Sequence, residues 1–148
     1  MKRFFLITVA ITVASGLTLI TSCGGTDATP AETESQKATK LMTQGTWAMQ
    51  SVTVDGTDKT SIYAGLKLTF TATGFTATSG GGVWPSTGTW QFTDDTGTTV
   101  KRDDGLTITL TELTTTKMVI KLTWTETTLG GGRTNSVQGN HVFTFGKL

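Results

Sequence analysis

Cysteine and histidine each occur once in the 148 residues, and proline only twice. With Cys23 alone, no intramolecular disulfide can form. With His141 alone, no companion His or Cys stands at metal-ligand spacing, so neither a zinc site nor any cofactor is expected. Net charge is also scarce, at +1 for the whole chain. Lys2 and Arg3 supply two of the positive charges, so the part beyond Cys23 is one unit negative and close to neutral. That balance offers no basic patch to nucleic acid or to anionic lipid. No Ser or Cys nucleophile is paired with a base in a recognisable motif. The runs Gly80-Gly81-Gly82 and Gly130-Gly131-Gly132 lack the Lys-Ser/Thr and the helix of a phosphate-cradling loop. Enzymatic activity is not expected.

Only one long apolar run is present, and it lies at the start. Lys2 and Arg3 precede Phe4 to Ile20, in which Thr, Ser and Gly are the only interruptions. This is the charged and then apolar order of a secretion signal. An uncleaved transmembrane helix would need about twenty apolar residues and gets fewer here. The run ends in Ile20-Thr21-Ser22-Cys23, a branched aliphatic, two small residues and a cysteine, which resembles the lipobox of bacterial lipoproteins. The resemblance implies cleavage before Cys23, acylation of its thiol and stable attachment to a membrane through more than one acyl chain. In lipoproteins of diderm bacteria an Asp after the cysteine favours inner-membrane retention. Gly24 stands there instead, so the resemblance implies the outer membrane, with the domain facing the periplasm or the cell surface.

Residues 1–22 are thus expected to be a signal peptide and 23–40 a lipidated cysteine with a flexible linker. Gly24 to Gln36 is small and polar with no apolar period, as a disordered tether should be. Ala38, Leu41 and Met42 fall at i, i+3 and i+4, which permits a short helical turn. Residues 41–148 then have the length of one domain.

Threonine makes up roughly a quarter of the chain and glycine is abundant, which favours β-branched strands and tight turns. From Gly45 onward apolar and polar residues alternate. Leu66, Leu68 and Phe70 oppose Lys67, Thr69 and Thr71, and Met118, Ile120, Leu122 and Trp124 oppose Val119, Lys121, Thr123 and Thr125. Similar alternation marks Trp90 with Phe92, Leu106 to Leu110, and Phe143 with Phe145. Trp47 to Val54, Phe75 to Thr78 and Thr98 to Arg102 bring the number of expected strands to eight. Turn residues such as Asp55-Gly56, Asp94-Asp95-Thr96-Gly97 and Asp103-Asp104-Gly105 separate them. No connection has the period of a crossover helix, so an all-β, antiparallel, up-and-down barrel of eight strands is predicted, with a two-sheet sandwich as the alternative.

Gly45-Thr46-Trp47 at the first strand resembles the Gly-x-Trp opening of lipocalins and the wider calycin group. With Gly88-Thr89-Trp90 and the Arg102 to Leu106 hairpin, the run from Leu41 to Phe145 is similar to the lipocalin-like domains of Bacteroidota lipoproteins. Lipocalins pair the first Trp with a late Arg; the late basic residues here are Arg133 and Lys147.

In such a barrel the connections after odd-numbered strands share one end. Three of those four are long: Asp55 to Gly65, Ser79 to Thr87, and Thr128 to Ser136. Binding residues concentrate in loops held on a rigid scaffold, so a small, largely apolar ligand is expected at that end. Candidate contacts are Tyr63, Trp84, Trp90, Trp124 and Arg133, with Trp90 and Trp124 expected inside the barrel near the mouth. The alternative is that the tryptophans simply fill the barrel, leaving a structural or protein- or glycan-interaction module. His141 shares the parity of Phe143 and Phe145; it is a further candidate contact, or else a buried neutral imidazole held by a hydrogen bond. The Asp94/Asp95 and Asp103/Asp104 pairs read as turn residues before they read as acid/base or calcium groups.

Overall fold

The computed structural model describes residues 30–126, 128–130 and 133–148, without the side chains of 128–130 and 133–135. Cys23, the signal segment and residues 24–29 of the tether lie outside the described residues.

A helix, α1 (Glu34–Met42), comes first. It replaces the short turn expected around Ala38 and begins inside the stretch expected to be tether. The reason is a complete capping box. Thr33 Oγ1 accepts the Gln36 backbone N–H, and Gln36 Oε1 accepts the Thr33 N–H, so two otherwise orphaned donors are paired. Glu34 in the first turn and Lys40 in the last complement the helix dipole.

The strands follow as β1 (Thr46–Val54), β2 (Thr57–Asp58), β3 (Lys67–Phe70), β4 (Gly74–Thr78), β5 (Thr87–Phe92) and β6 (Thr99–Arg102). Next come β7 (Thr107–Leu113), β8 (Lys117–Trp124), β9 (Thr128–Gly130), β10 (Arg133–Ser136) and β11 (Gly139–Lys147). Eight of them, β1, β3 to β8 and β11, pair antiparallel in chain order, and β11 returns to pair with β1. That last pairing closes the sheet, so the fold is an up-and-down barrel and not a sandwich, and no edge is left exposed along it. β2 folds back to pair antiparallel with the end of β1, and β9 with β10 form a separate hairpin.

Strand parity places the core as the alternation predicts. Trp47, Leu68, Phe70, Phe75, Ile120 and Phe143 are among the buried residues, while Thr107, Thr109, Lys121 and Thr123 between the inward positions are exposed. Two strands depart from simple alternation, and in β7 the inward side chain passes from Leu110 to Leu113, where the pairing with β8 shifts register between Leu110 and Glu112. In β1 the inward side chain passes from Trp47 to Val52, because the pairing with β11 shifts register between Met49 and Ser51. Gln50 is the extra residue of a bulge, and a bulge reverses parity beyond itself.

The two ends of the barrel are covered differently. At the end of the short connections, α1 lays Ala38 and Met42 into the core, the Ser35 amide donates to the Asp95 carbonyl (3.1 Å), and the Trp47 indole N–H donates to the Met42 carbonyl (2.9 Å). At the other end lie the three long connections. They are more structured than loops: the first carries β2 and a 3₁₀ turn (Thr60–Tyr63), and the third carries the β9–β10 hairpin, which lies beside that turn.

Candidate functional site

The loop-bearing end is closed by its own side chains. Tyr63, from the 3₁₀ turn, and Val83, from the β4–β5 connection, have no exposed surface, and Trp84 is 2% exposed. The expectation of residues lining an open mouth is corrected here: Tyr63 and Trp84 point into the barrel and plug it. Trp84 reaches deep because the chain turns tightly above it. Its amide donates to the Gly80 carbonyl (3.1 Å), and a Cβ at Gly80 would collide with Trp84 itself. Ser79 and Gly81 take left-handed φ values of 55° and 60° to complete the turn, a conformation that costs a non-glycine residue such as Ser79 about 1 kcal/mol or more.

Three of the predicted residues meet around one ring. Tyr63 and Trp84 stand edge-on to Phe143, with centroids 5.3 and 6.2 Å away, and His141 stacks on it at 5.5 Å. Tyr63 and His141 are also hydrogen-bonded, Oη to Nε2 at 2.8 Å. The direction of this chain follows from chemistry. The Gly139 carbonyl can only accept, so His141 Nδ1 donates to it (3.1 Å). Nε2 then accepts from the Tyr63 hydroxyl, whose oxygen accepts the Val137 amide (3.5 Å). His141 is therefore the buried neutral imidazole of the sequence reading, with both nitrogens paired. Burial pushes its pKa below the usual histidine value against the opposing pull of the Gly139 carbonyl and of Asp55. Burial likewise raises the Tyr63 phenol, the Val137 amide opposing it.

Trp90 is inside, but its indole N–H is directed to the far end. It donates to the carbonyls of Thr71 (3.1 Å) and Gly74 (3.0 Å) in the short β3–β4 turn. Its placement near the mouth is thus corrected: parity chose the face, and the hydrogen bonds chose the end. Trp124 is near the loop end as expected, half-buried, and donates to Ser136 Oγ (3.3 Å). Arg133 lies in β10, and its side chain is outside the described residues. Lys147 stands opposite Trp47 in the β1–β11 pairing.

Arg102 was missed as a site residue. Sequence reading placed it only in a hairpin, although Val100 and Arg102 on a short strand already put it on the inner face. It is a buried cation, 3% exposed. Its Nη1 donates to the Val83 carbonyl (2.7 Å), its Nε to Asp104 Oδ1 (3.2 Å), and its Nη2 to Asp104 Oδ2. The guanidinium also lies 5.2 Å from the Trp84 ring centroid and 5.6 Å from that of Phe75, within cation–π range. One cation thus holds the β4–β5 connection down onto the barrel from beneath. Asp104, 42% exposed, completes the pair. Burial would raise its pKa, but the bonds from Arg102 and from the Leu106 amide outweigh this and hold it below the usual carboxylate value.

The neighbouring Asp103 accepts from the Thr89 amide (3.1 Å), and Asp94 accepts from the Thr96 amide (2.9 Å). Asp94 and Asp104 hold their own turns, through the amides of Thr96 and Leu106, whereas Asp103 reaches across to β5 and Asp95 accepts from Ser35 Oγ of α1 (3.4 Å). Among the described residues no three His, Cys, Asp or Glu side chains converge as metal ligands would.

Beneath Trp84 and Arg102 an apolar cavity of only about 10 Å³ remains, bordered also by Phe75, Trp90, Met42 and Met118. Among the described residues the Trp84 indole N–H is buried with no hydrogen-bond partner. A second concavity, about 640 Å³ and open, lies outside the barrel over β7, β8 and β11, lined mainly by Thr107, Thr109, Lys121, Thr123 and Asn140. No family model matches this chain, and no curated protein and no solved structure matches it.

Proposed function

We propose that the chain is an outer-membrane lipoprotein, tethered through acylated Cys23, whose lipocalin-like barrel binds a small, largely apolar ligand at the end closed by the long connections. The observation that carries the reading is the polar group left incomplete there. A barrel built only for stability has no use for a buried indole N–H without a partner, because burying such a group costs free energy, and this one lies beside the cation that holds the same connection down. Local rules broken in this way collect at sites of function. The ligand-free barrel is the closed state, and entry requires the β4–β5 connection carrying Val83 and Trp84 to lift. Gly80, Gly81 and Gly82 give that connection its freedom.

Native mass spectrometry of the processed chain after exposure to a lysate of its own cells tests the reading. The expected result is a discrete added mass that denaturation releases. A bare protein mass, together with no uptake of added apolar probes, would overturn it. Membrane attachment is tested separately, by its expected loss in Cys23→Ala.

A second reading has its own support in the filling of the barrel. With only about 10 Å³ in the cavity beneath Trp84, the domain can serve as a rigid module that meets a protein or glycan through its outer surface, where the wide groove over β7, β8 and β11 lies.

A further inference from the structure

Two features of the loop-bearing end point to a class of ligand. The first is the unspent donor capacity of Arg102. A guanidinium carries five N–H groups, and three of them serve Asp104 and Val83. One N–H on Nη1 and one on Nη2 are left, on a side chain almost wholly buried. The second is Trp84, whose ring lies against that guanidinium and whose own N–H is buried and unpartnered. Among the described residues, one buried donor without a partner, on Trp84, and two spare N–H groups of a guanidinium whose nitrogens are each already paired thus stand beside one apolar cavity with an aromatic border. Donors with no acceptor, one set of them cationic, match an acceptor-only anion, and a planar carboxylate matches the guanidinium fork best.

We propose that this end of the barrel recognises a small amphipathic carboxylate, with its head on Arg102 and the Trp84 indole N–H and its short apolar body in the cavity beneath. The proposal rests on the reading that the barrel takes an apolar ligand and adds what the head of that ligand is. The bonds Arg102 now makes are of a kind that such a head can replace. The Val83 carbonyl belongs to the connection that must lift for entry. The Asp104 carboxylate is the same chemical group as the ligand head, is substantially exposed, and can turn to water when displaced. Arg102 then exchanges one carboxylate for another, and its charge stays paired throughout, which avoids the large penalty of an isolated buried charge. The cavity enlarges as the β4–β5 connection lifts and as Met118, whose unbranched side chain adapts readily to a new neighbour, moves aside. A head with no charge has nothing to offer in place of Asp104.

The test uses the processed chain from residue 23 onward, with Cys23→Ala to keep it free of lipid; the whole closed barrel lies within Ala31–Leu148. Binding of sodium octanoate, 1-octanol and sodium acetate is measured by calorimetry and by tryptophan fluorescence. Octanoate is expected to bind at least about tenfold more tightly than octanol, as a charge-assisted hydrogen bond requires, and acetate not measurably. In Arg102→Met the preference for octanoate over octanol is expected to vanish. In Trp84→Phe, which keeps a ring in place and tests the head group without removing the buried cation, it is expected to shrink several-fold. Equal binding of octanoate and octanol would overturn the carboxylate head and leave the apolar-ligand reading standing. A preference unchanged in both variants would overturn these residues as its origin. Binding of neither would overturn the apolar-ligand reading as well.

Discussion

The two ends of the barrel solve the same problem, covering an apolar interior, in opposite ways. At the helix end every tryptophan N–H is paired with a backbone carbonyl, Trp47 with Met42 and Trp90 with Thr71 and Gly74. The plug is a methionine on a capped helix. At the loop end the plug is Trp84, its N–H unpaired, with a buried Arg102 under it and the Tyr63–His141 pair beside it. Apolar contact and satisfied hydrogen bonds make a permanent seal. A seal that keeps a cation and an unpaired donor in reserve is one that gives up stability for the ability to exchange partners.

The largest effect that would sharpen this contrast is at the helix end. Met42→Ala removes the side chain that fills the barrel from below, and the expected loss is about 2–5 kcal/mol of unfolding free energy, read from urea melts. A loss near zero would mean that α1 is not part of the seal. Next comes a matched pair, Trp47→Phe and Trp84→Phe. The two substitutions delete the same atoms, yet only the first breaks a hydrogen bond and strands a buried carbonyl. Trp47→Phe should therefore be the more destabilising by about 1 kcal/mol. Equal losses would erase the difference between the ends.

The smallest effect is a pH dependence. The folded state holds His141 neutral, with its pKa lowered by burial, while the unfolded chain takes up a proton near the ordinary value of about 6.5. The unfolded state thus binds more protons below that pH, so this contribution to stability is complete above about 6.5 and is lost as pH falls through the window beneath it. Tyr63 and Asp55 are the titratable groups that act on the ring. Asp58, Asp94 and Asp104, whose pKa values are lowered, lose their contributions only at or below the ordinary carboxylate range. Melting temperature should accordingly fall between pH 7 and pH 5, and His141→Gln should flatten that slope; an unaltered slope would remove His141 as its source.

Much of the barrel was legible because its information is local. Alternation marks each strand, Asp and Gly mark the turns, and the unequal connection lengths already separate the two ends. The inward, neutral state of His141 follows from its parity with Phe143 and Phe145. What escaped was the height of a side chain within the barrel and the path of the long connections. Trp90 reads as a mouth residue from its place on the strand, yet its backbone lies beside the β3–β4 turn, with its amide donating to the Thr73 carbonyl (3.0 Å), and its indole N–H bonds Thr71 and Gly74 there. Tyr63 and Trp84 sit in segments without a period, so nothing nearby in sequence says that they turn inward. Gln50 hides a bulge that only the pairing with β11 exposes. Arg102 carried a signal, its alternation with Val100, but charge normally marks an outward face and masks such a position.

The most direct test of the difference between the ends is hydrogen exchange at the indole N–H groups, read in a single series of ¹⁵N-resolved NMR spectra of the processed chain. If the loop end opens on its own, the Trp84 indole exchanges at least about tenfold faster than that of Trp47, through a local opening that denaturant barely affects, while Trp47 exchanges only with global unfolding. Exchange of both at one rate, with the same denaturant dependence, would mean that the barrel opens only as a whole, and would contradict the account of Trp84 and Val83 as a lid.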